Sequence, residues 1–530
     1  MEKLETNDGS ASPRTFRQNL LAMMGLCFVL VMVALDQTVI GTALPTVVAE
    51  LNGFDLYAWV GTAYLLTSVI TVPIFGKLGD EHGRKPFVIA AIILFTLASM
   101  LCGMAQSMLQ LVLARALQGI GGGMLIATSF ACVPDLFPDS HERLRWQILF
   151  SSAFGLANAV GPSLGGYLTE YWGWRWVFFV NLPVGIASLG FVWYFLPKIR
   201  HSEHPPSRMD WFGSLLIAMT LGCLQLFVEW LPQHTPALLL IALGSVGAVS
   251  CVTLIWWERR CENPVLPLSM FTHHTLGPLF ALSIMMGFCM FAVMYYAPLM
   301  FQGGFGLSPN QAGLLVTPLA VFITVGSIVN GRIMTRLHSP NIILHVGLSF
   351  FLIAAMALTQ TTITTPHAMV ALAMALGGLG LGLLLPNLTL IAQVITPRTQ
   401  LGVATAMLQS MRIVGSMLGT ALIGSLISNL YVSKVNVMLE ANHSSQWASW
   451  LDDPQILVSP VRAAKFLDVV TLAGHDAVIL LAGTRNALVN AIHDSQWFIA
   501  AFMVLAFWLV HRIPAINIHG RATNREAGNE

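Results

Sequence analysis

The sequence predicts an all-α polytopic membrane protein with fourteen spanning helices grouped as six, two and six. Three observations carry this expectation. Of 530 residues, 55% are hydrophobic and only 10% are charged, whereas a soluble domain carries about 25% charged residues. Apolar runs long enough to cross a bilayer recur along the whole chain. The basic residues alternate in step with those runs.

A spanning helix needs about 20 mainly apolar residues. Such runs lie at 19–42, 57–76, 86–105, 108–130, 146–168, 175–196, 210–231, 236–257, 275–300, 311–332, 341–360, 367–390, 402–430 and 496–513. The stretch 466–482 is also fairly apolar, but Asp468, His475 and Asp476 argue against a further span there. The N-terminal segment is polar and is followed by an apolar run without a small-residue cleavage site. The first span is therefore expected to be retained rather than removed as a signal peptide.

Charge tests the count. With the N-terminus inside, 19 of the 26 Lys and Arg residues fall on inner segments, among them Arg14, Arg17, Lys77, Arg143, Arg200 and Arg259. The short outer loops are almost free of basic residues, which is the positive-inside pattern. Inner-membrane location with both termini cytoplasmic follows as an expectation. Polar linkers divide the chain into an N-terminal tail 1–18, a first half 19–198, a linker with two extra helices 199–274, a second half 275–513 and a tail 514–530. Within the second half, 431–495 reads as a long periplasmic loop.

Several function classes are excluded. A net charge of +1 gives no clustered basic face for nucleic acid. Seven scattered cysteines, Cys27, Cys102, Cys132, Cys223, Cys251, Cys261 and Cys289, form no CxxC pair and read as small core residues. No HExxH, GxSxG or Walker loop is present. The chain is therefore expected to be no enzyme and no nucleotide-driven pump, with neither cofactor nor metal.

The loop after the second run reads Gly76-Lys77-Leu78-Gly79-Asp80-Glu81-His82-Gly83-Arg84-Lys85. Gly76 and Gly83 allow close backbone approach or positive φ. Asp80 can face a helix N-terminus, and Arg84 and Lys85 can hold helix C-termini or carboxylates. The run Gly331-Arg332-Ile333-Met334-Thr335-Arg336 echoes it after the second span of the second half. Repeated halves are a transporter signature, with the substrate site near the midplane between them.

This loop resembles the GxLxDxxGRK motif of the major facilitator superfamily, where it latches the halves on the inner side. Three further stretches narrow the resemblance to fourteen-helix drug:proton antiporters of the EmrB/QacA type. Leu35-Asp36-Gln37-Thr38 with Ala43-Leu44-Pro45 is similar to LDxTxxxxALP. Arg115-Ala116-Leu117-Gln118-Gly119-Ile120-Gly121 is similar to RxxQGxG. Ala157 through Gly161-Pro162 to Gly165-Gly166 resembles GxxxGPxxGG, with Ala157 for the first glycine. Trp174-Arg175-Trp176 through Asn181-Leu182-Pro183 and the two extra middle spans also fit this branch. The resemblance implies a major facilitator fold and export of drugs or other toxic amphipathic compounds in exchange for protons. It also implies a periplasmic adaptor and outer-membrane channel as partners that loop 431–495 could dock.

The residues themselves offer candidates. A charged side chain inside a span is costly and points to function. Asp36 and Arg115 should lie at similar depth in the outer half of the membrane. A carboxylate in an apolar cavity has a raised pKa, and a nearby cation lowers it again. Asp36 would take and release a proton or pair with a cationic substrate, with Arg115 tuning it; alternatively the two only hold helices in register. Ala157, Gly161 and Gly165 recur every four residues on one face, a seam that lets backbones touch. Pro162 bends the same helix. In the second half, Arg412 would line the cavity or hold the inner gate, with Gln409 beside it and Asn387 as a further cavity residue. Glu229 reads as interfacial. Spans of the second half hold no Asp or Glu, which leaves neutral, monocationic and amphipathic anionic substrates open. A dedicated exporter or symporter of one metabolite is the rival reading.

Overall fold

A computed structural model describes residues 16–137, 140–197, 210–230, 236–261, 264–265, 268–334, 341–396, 401–472 and 476–513. Its helices are α1 (Phe16–Leu51), α2 (Tyr57–His82), α3 (Arg84–Gly103), α4 (Met108–Leu136), α5 (Ser140–Tyr171), the short α6 (Trp176–Phe179) and α7 (Asn181–Phe195). A middle pair follows, α8 (Trp211–Trp230) and α9 (Ala237–Glu258), then the short α10 (Leu268–Thr272). The second half holds α11 (Leu276–Leu299), α12 (Pro309–Met334), α13 (Asn341–Leu358), α14 (His367–Ile395) and α15 (Leu401–Ala441). It ends with the short α16 (Ala448–Leu451), α17 (Gln455–Val458) and α18 (Pro460–Leu472), and with α19 (Ala477–His511).

Among the described residues, 13 helical stretches are long and apolar enough to cross a membrane. The expected run 146–168 lies in α5, a helix of 32 residues that is not one of them. Hydropathy therefore marks thirteen of the described helices, and α5, packed on α1 and α12, takes the fifth place of the first half. One boundary is corrected outright. The expected loop 431–495 is largely helical, because α15 runs on to Ala441 and α19 begins at Ala477 with Asp476 as its N-cap. The Asp476 side chain accepts from the amides of Val478 and Ile479 at 3.0 and 3.2 Å, which satisfies donors that a helix start leaves unpaired. The acid that weighed against a span is the cap that starts it.

The packing repeats. In the first half α1 packs on α5 and α7, α2 on α4, and α3 on α4 and α7. In the second half α11 packs on α15 and α19, α12 on α14, and α13 on α14 and α19. The halves meet where α5 lies along α12 and where α15 lies along α2. The fifth helix of each half thus crosses the second of the other, as a two-fold repeat requires. Close backbone approaches match as well. Gly119 and Gly123 of α4 abut the Tyr64 and Ser68 carbonyls of α2, and Gly378 and Gly382 of α14 abut those of Leu319 and Ile323 in α12. Small residues four apart are what bring membrane helices into contact when lipid supplies no hydrophobic drive.

The middle pair packs mainly on itself, with α8 also touching α2 and α15. Leu238, Ile241, Val249 and Val252 of α9 are exposed, as suits a helix facing lipid. At the expected outer end the halves are stitched together. Gln302, in a π turn at Met300–Gly304 after α11, donates to the Thr42 carbonyl at 2.8 Å. Gln455 at the start of α17 donates to the Val48 carbonyl at 2.8 Å and to Asn52 Oδ1 at 2.9 Å. Thr62 and Thr420 share a hydrogen bond of 3.0 Å between α2 and α15.

Candidate functional site

Helix α1 runs through the first half with nearly every residue from Met32 to Pro45 buried. In this apolar sleeve sits Asp36, 3% exposed. An isolated carboxylate would be very costly there, and the neighbouring helices supply its partners. On α4, Arg115 and Gln118 are three residues apart and so share a face. Arg115 Nη1 donates to Asp36 Oδ2 at 2.7 Å, and Gln118 Nε2 donates to Oδ1 at 2.7 Å. Asn181, the first residue of α7, adds a longer bond from Nδ2 to Oδ1 at 3.3 Å.

The guanidinium is held from several sides. Nη1 also donates to Gln118 Oε1 at 2.8 Å, and Nε donates to the Val60 carbonyl of α2 at 3.2 Å. The Tyr64 ring lies beneath it, 4.4 Å from centroid to Cζ. Nη2 has no acceptor among the described residues. Cys102 donates to Gln118 Oε1 at 3.4 Å, and Asn181 donates to Ser99 Oγ, which donates on to the Phe178 carbonyl. Four helices of the first half thus converge on one ion pair. A buried pair survives only when its remaining donors and acceptors find partners, and charge-assisted bonds near 2.7 Å are the strong kind. The site holds one acid, one cation and neutral amides, so protonation of Asp36 changes its net charge by one and leaves no second carboxylate to compensate.

The expected pairing of Asp36 with Arg115 is present as direct contact. Gln118 and Asn181 were missed as functional residues, although both sit in the quoted motifs; an amide inside an apolar span was the available signal. Tyr64 carries no such signal, because an aromatic in a span is ordinary.

The other expected residues divide. In the α5 motif, Ala157 is buried; Cβ atoms on Gly161 and Gly165 would collide with Thr38 and with Thr42 and Val39 of α1. Gly166 faces the Pro309 carbonyl, and the Pro162 carbonyl abuts Gly313, both on α12. Thr42 donates to the Pro162 carbonyl at 3.3 Å. The motif therefore lets α5 touch α1 on one side and the opposite half on the other. In the loop between α2 and α3, Gly83 takes φ 87° and is the only residue separating the two helices. Gly76 lies within α2, where a Cβ would meet nothing within 4 Å among the described residues. Lys85 donates to the Trp193 carbonyl of α7 at 2.7 Å, and Arg84 packs its chain beside Gly79. The Asp80 side chain lies outside the described residues.

In the second half, Asn387 is fully buried and donates to Asn330 Oδ1 and the Leu383 carbonyl, both at 2.7 Å. It ties α14 to α12. Arg412 and Gln409 on α15 are half-buried. Among the described residues neither side chain forms a hydrogen bond or an ion pair. The structure does not bring either to Asp36.

With this geometry in view, comparison with known proteins identifies the family. The Major Facilitator Superfamily model matches residues 26–427. The chain belongs to the Major Facilitator Superfamily. It is a membrane transporter and not an enzyme. Among relatives, multidrug transporter protein MdtP of Bacillus subtilis is 31% identical over 527 residues, covering 95% of this chain and 94% of that protein. Multidrug resistance protein 3 of Bacillus subtilis is 31% identical over 457 residues, covering 84% of this chain and 88% of that one. Among solved structures, a bacterial homolog of the human lysosomal transporter Spinster, inward-facing and unoccupied, matches with a TM-score of 0.65 at 13% identity, covering 94% of this chain and 98% of that one. This likeness supports the superfamily fold.

Proposed function

We propose that this transporter exports drugs or other toxic amphipathic compounds across the inner membrane in exchange for protons, by rocking of its two six-helix halves. The observation that carries the reading is Asp36, a buried acid whose compensation comes entirely from one guanidinium and two neutral amides. A proton taken up by this acid would leave Arg115 a buried cation without its counter-charge, a change large enough to drive the surrounding helices to rearrange. The multidrug names of its relatives support the substrate class. Arg412, half-buried and without a partner among the described residues, suits a cavity wall that meets the substrate. The α5 seam, flush against α1 and α12, suits a leak-tight interface during exchange. The α2–α3 loop with Gly83, Arg84 and Lys85 then serves as the inner latch.

The test is a toxic-compound susceptibility panel on cells expressing the wild type or Asp36→Asn, paired with inverted membrane vesicles energised to pump protons inward. The expected result is resistance and proton-driven dye uptake in the wild type, both lost in Asp36→Asn with normal membrane insertion. Unchanged resistance in Asp36→Asn would make the acid structural. Uptake of one metabolite with no response to any toxic compound would favour a dedicated carrier.

A further inference from the structure

Tyr295 and Tyr296 are neighbours near the end of α11, and their hydroxyls go to different halves. The Tyr296 hydroxyl donates to the Thr420 carbonyl at 2.6 Å and lies against Gly424, both on α15. Tyr295 crosses the interface. The tip of its ring fills a slot at Gly61 of α2, where a Cβ would come within 2.6 Å of Cε1 and 2.9 Å of the phenol oxygen. Gly61 adjoins Val60, whose carbonyl holds Arg115 Nε. The slot thus seats the phenol next to the backbone that holds the guanidinium. Tyr57 of α2 fixes the crossing. Its hydroxyl donates to the Tyr295 carbonyl at 3.0 Å and its ring stacks on Tyr296 with centroids 5.8 Å apart.

We propose that Tyr295 is the positioning residue through which the second half senses the charge state of the Asp36–Arg115 pair. The pair is otherwise built wholly from α1, α2, α4 and α7, which move together as one half. A charge change there reaches the other half only through something that touches both. Tyr295 is seated in the Gly61 slot, one residue from the carbonyl that holds the guanidinium, while the halves are closed at this end, and is withdrawn when they part. Closure and the electrostatic state of the pair are then linked, and the link acts equally in both directions. The inference rests on the reading that Asp36 carries the proton.

Spin labels at Met104 and Ile363, both exposed and at the expected outer end of opposite halves, would report closure by pulsed dipolar distance measurement in lipid nanodiscs. The accessible cysteines Cys27, Cys223, Cys251 and Cys261 are replaced beforehand while the buried Cys102, Cys132 and Cys289 are kept, and no substrate is added. Between pH about 5 and about 9, the wild-type ratio of open to closed populations should change at least about fivefold, and Asp36→Asn should abolish the response. Tyr295→Leu should cut the response below about twofold, with Tyr295→Phe intermediate, while Tyr296→Phe keeps it. A full response in Tyr295→Leu or Tyr295→Phe overturns the proposal and leaves the proton reading intact. A response absent from the wild type, or retained in Asp36→Asn, overturns the proton reading itself. Loss in Tyr296→Phe equal to that in Tyr295→Leu would reduce Tyr295 to packing.

Discussion

The two halves pack alike and treat charge in opposite ways. In the first half, Asp36 and Arg115 are buried at 3% and 0% exposure, and both carboxylate oxygens accept while Arg115 Nη1 and Nε donate to partners. In the second half, Arg412 is half-buried and has no partner among the described residues. A shared backbone design, down to glycines four apart on α4 and α14, therefore carries two electrostatic roles. A closed, compensated pair suits a group whose own charge switches. A partly exposed cation with no partner among the described residues suits a wall that meets something passing by.

The sharpest way to break this contrast is to unbalance the pair. Arg115→Leu leaves Asp36 buried with only amides, and the loss should be about 3–5 kcal/mol. The melting midpoint of the purified protein should fall accordingly. The double variant Asp36→Leu with Arg115→Leu should recover most of that stability while proton-driven transport stays absent. Equal stability of the single and double variants would mean that the pair is not a coupled unit.

A smaller effect is expected in the second half. Arg412→Gln removes no ion pair, so the melting midpoint should correspond to less than about 0.5 kcal/mol of change. Its effect should fall on selectivity: resistance to anionic compounds drops relative to cationic ones. A large loss of stability would show that Arg412 is a structural member like Arg115, and the contrast between halves would vanish.

The smallest effect concerns Asp452, in the segment between α15 and α19. Burial holds its carboxyl above the ordinary range, and its Oδ1 has no partner among the described residues. The folded state therefore keeps the proton longer than the unfolded state. Its contribution is favourable below the ordinary carboxylate value of about 3.9 and is lost as pH rises towards the raised value. Asp452→Asn should flatten this part of the melting-midpoint profile against pH. An unchanged slope would assign it to other groups.

Most of the architecture was legible in the chain because a bilayer imposes length and hydropathy on each helix separately. The apolar runs, the tight turn at Gly83 and the seam on α5 are local properties, and so is the rarity of ions within spans that singled out Asp36, Arg115 and Arg412. What the chain could not disclose is which distant groups meet. Only the packing of α1, α2, α4 and α7 put Gln118, Asn181 and Tyr64 around the ion pair, and only the contact between halves set Tyr295 into the slot at Gly61. The same holds for Asn387, whose partner Asn330 is 57 residues away in sequence, and for the helical extension of α15 and α19 beyond their expected ends. Hydropathy reports how a residue meets its solvent, one position at a time. Compensation of a buried charge is a property of several helices at once, and no single one of them encodes it.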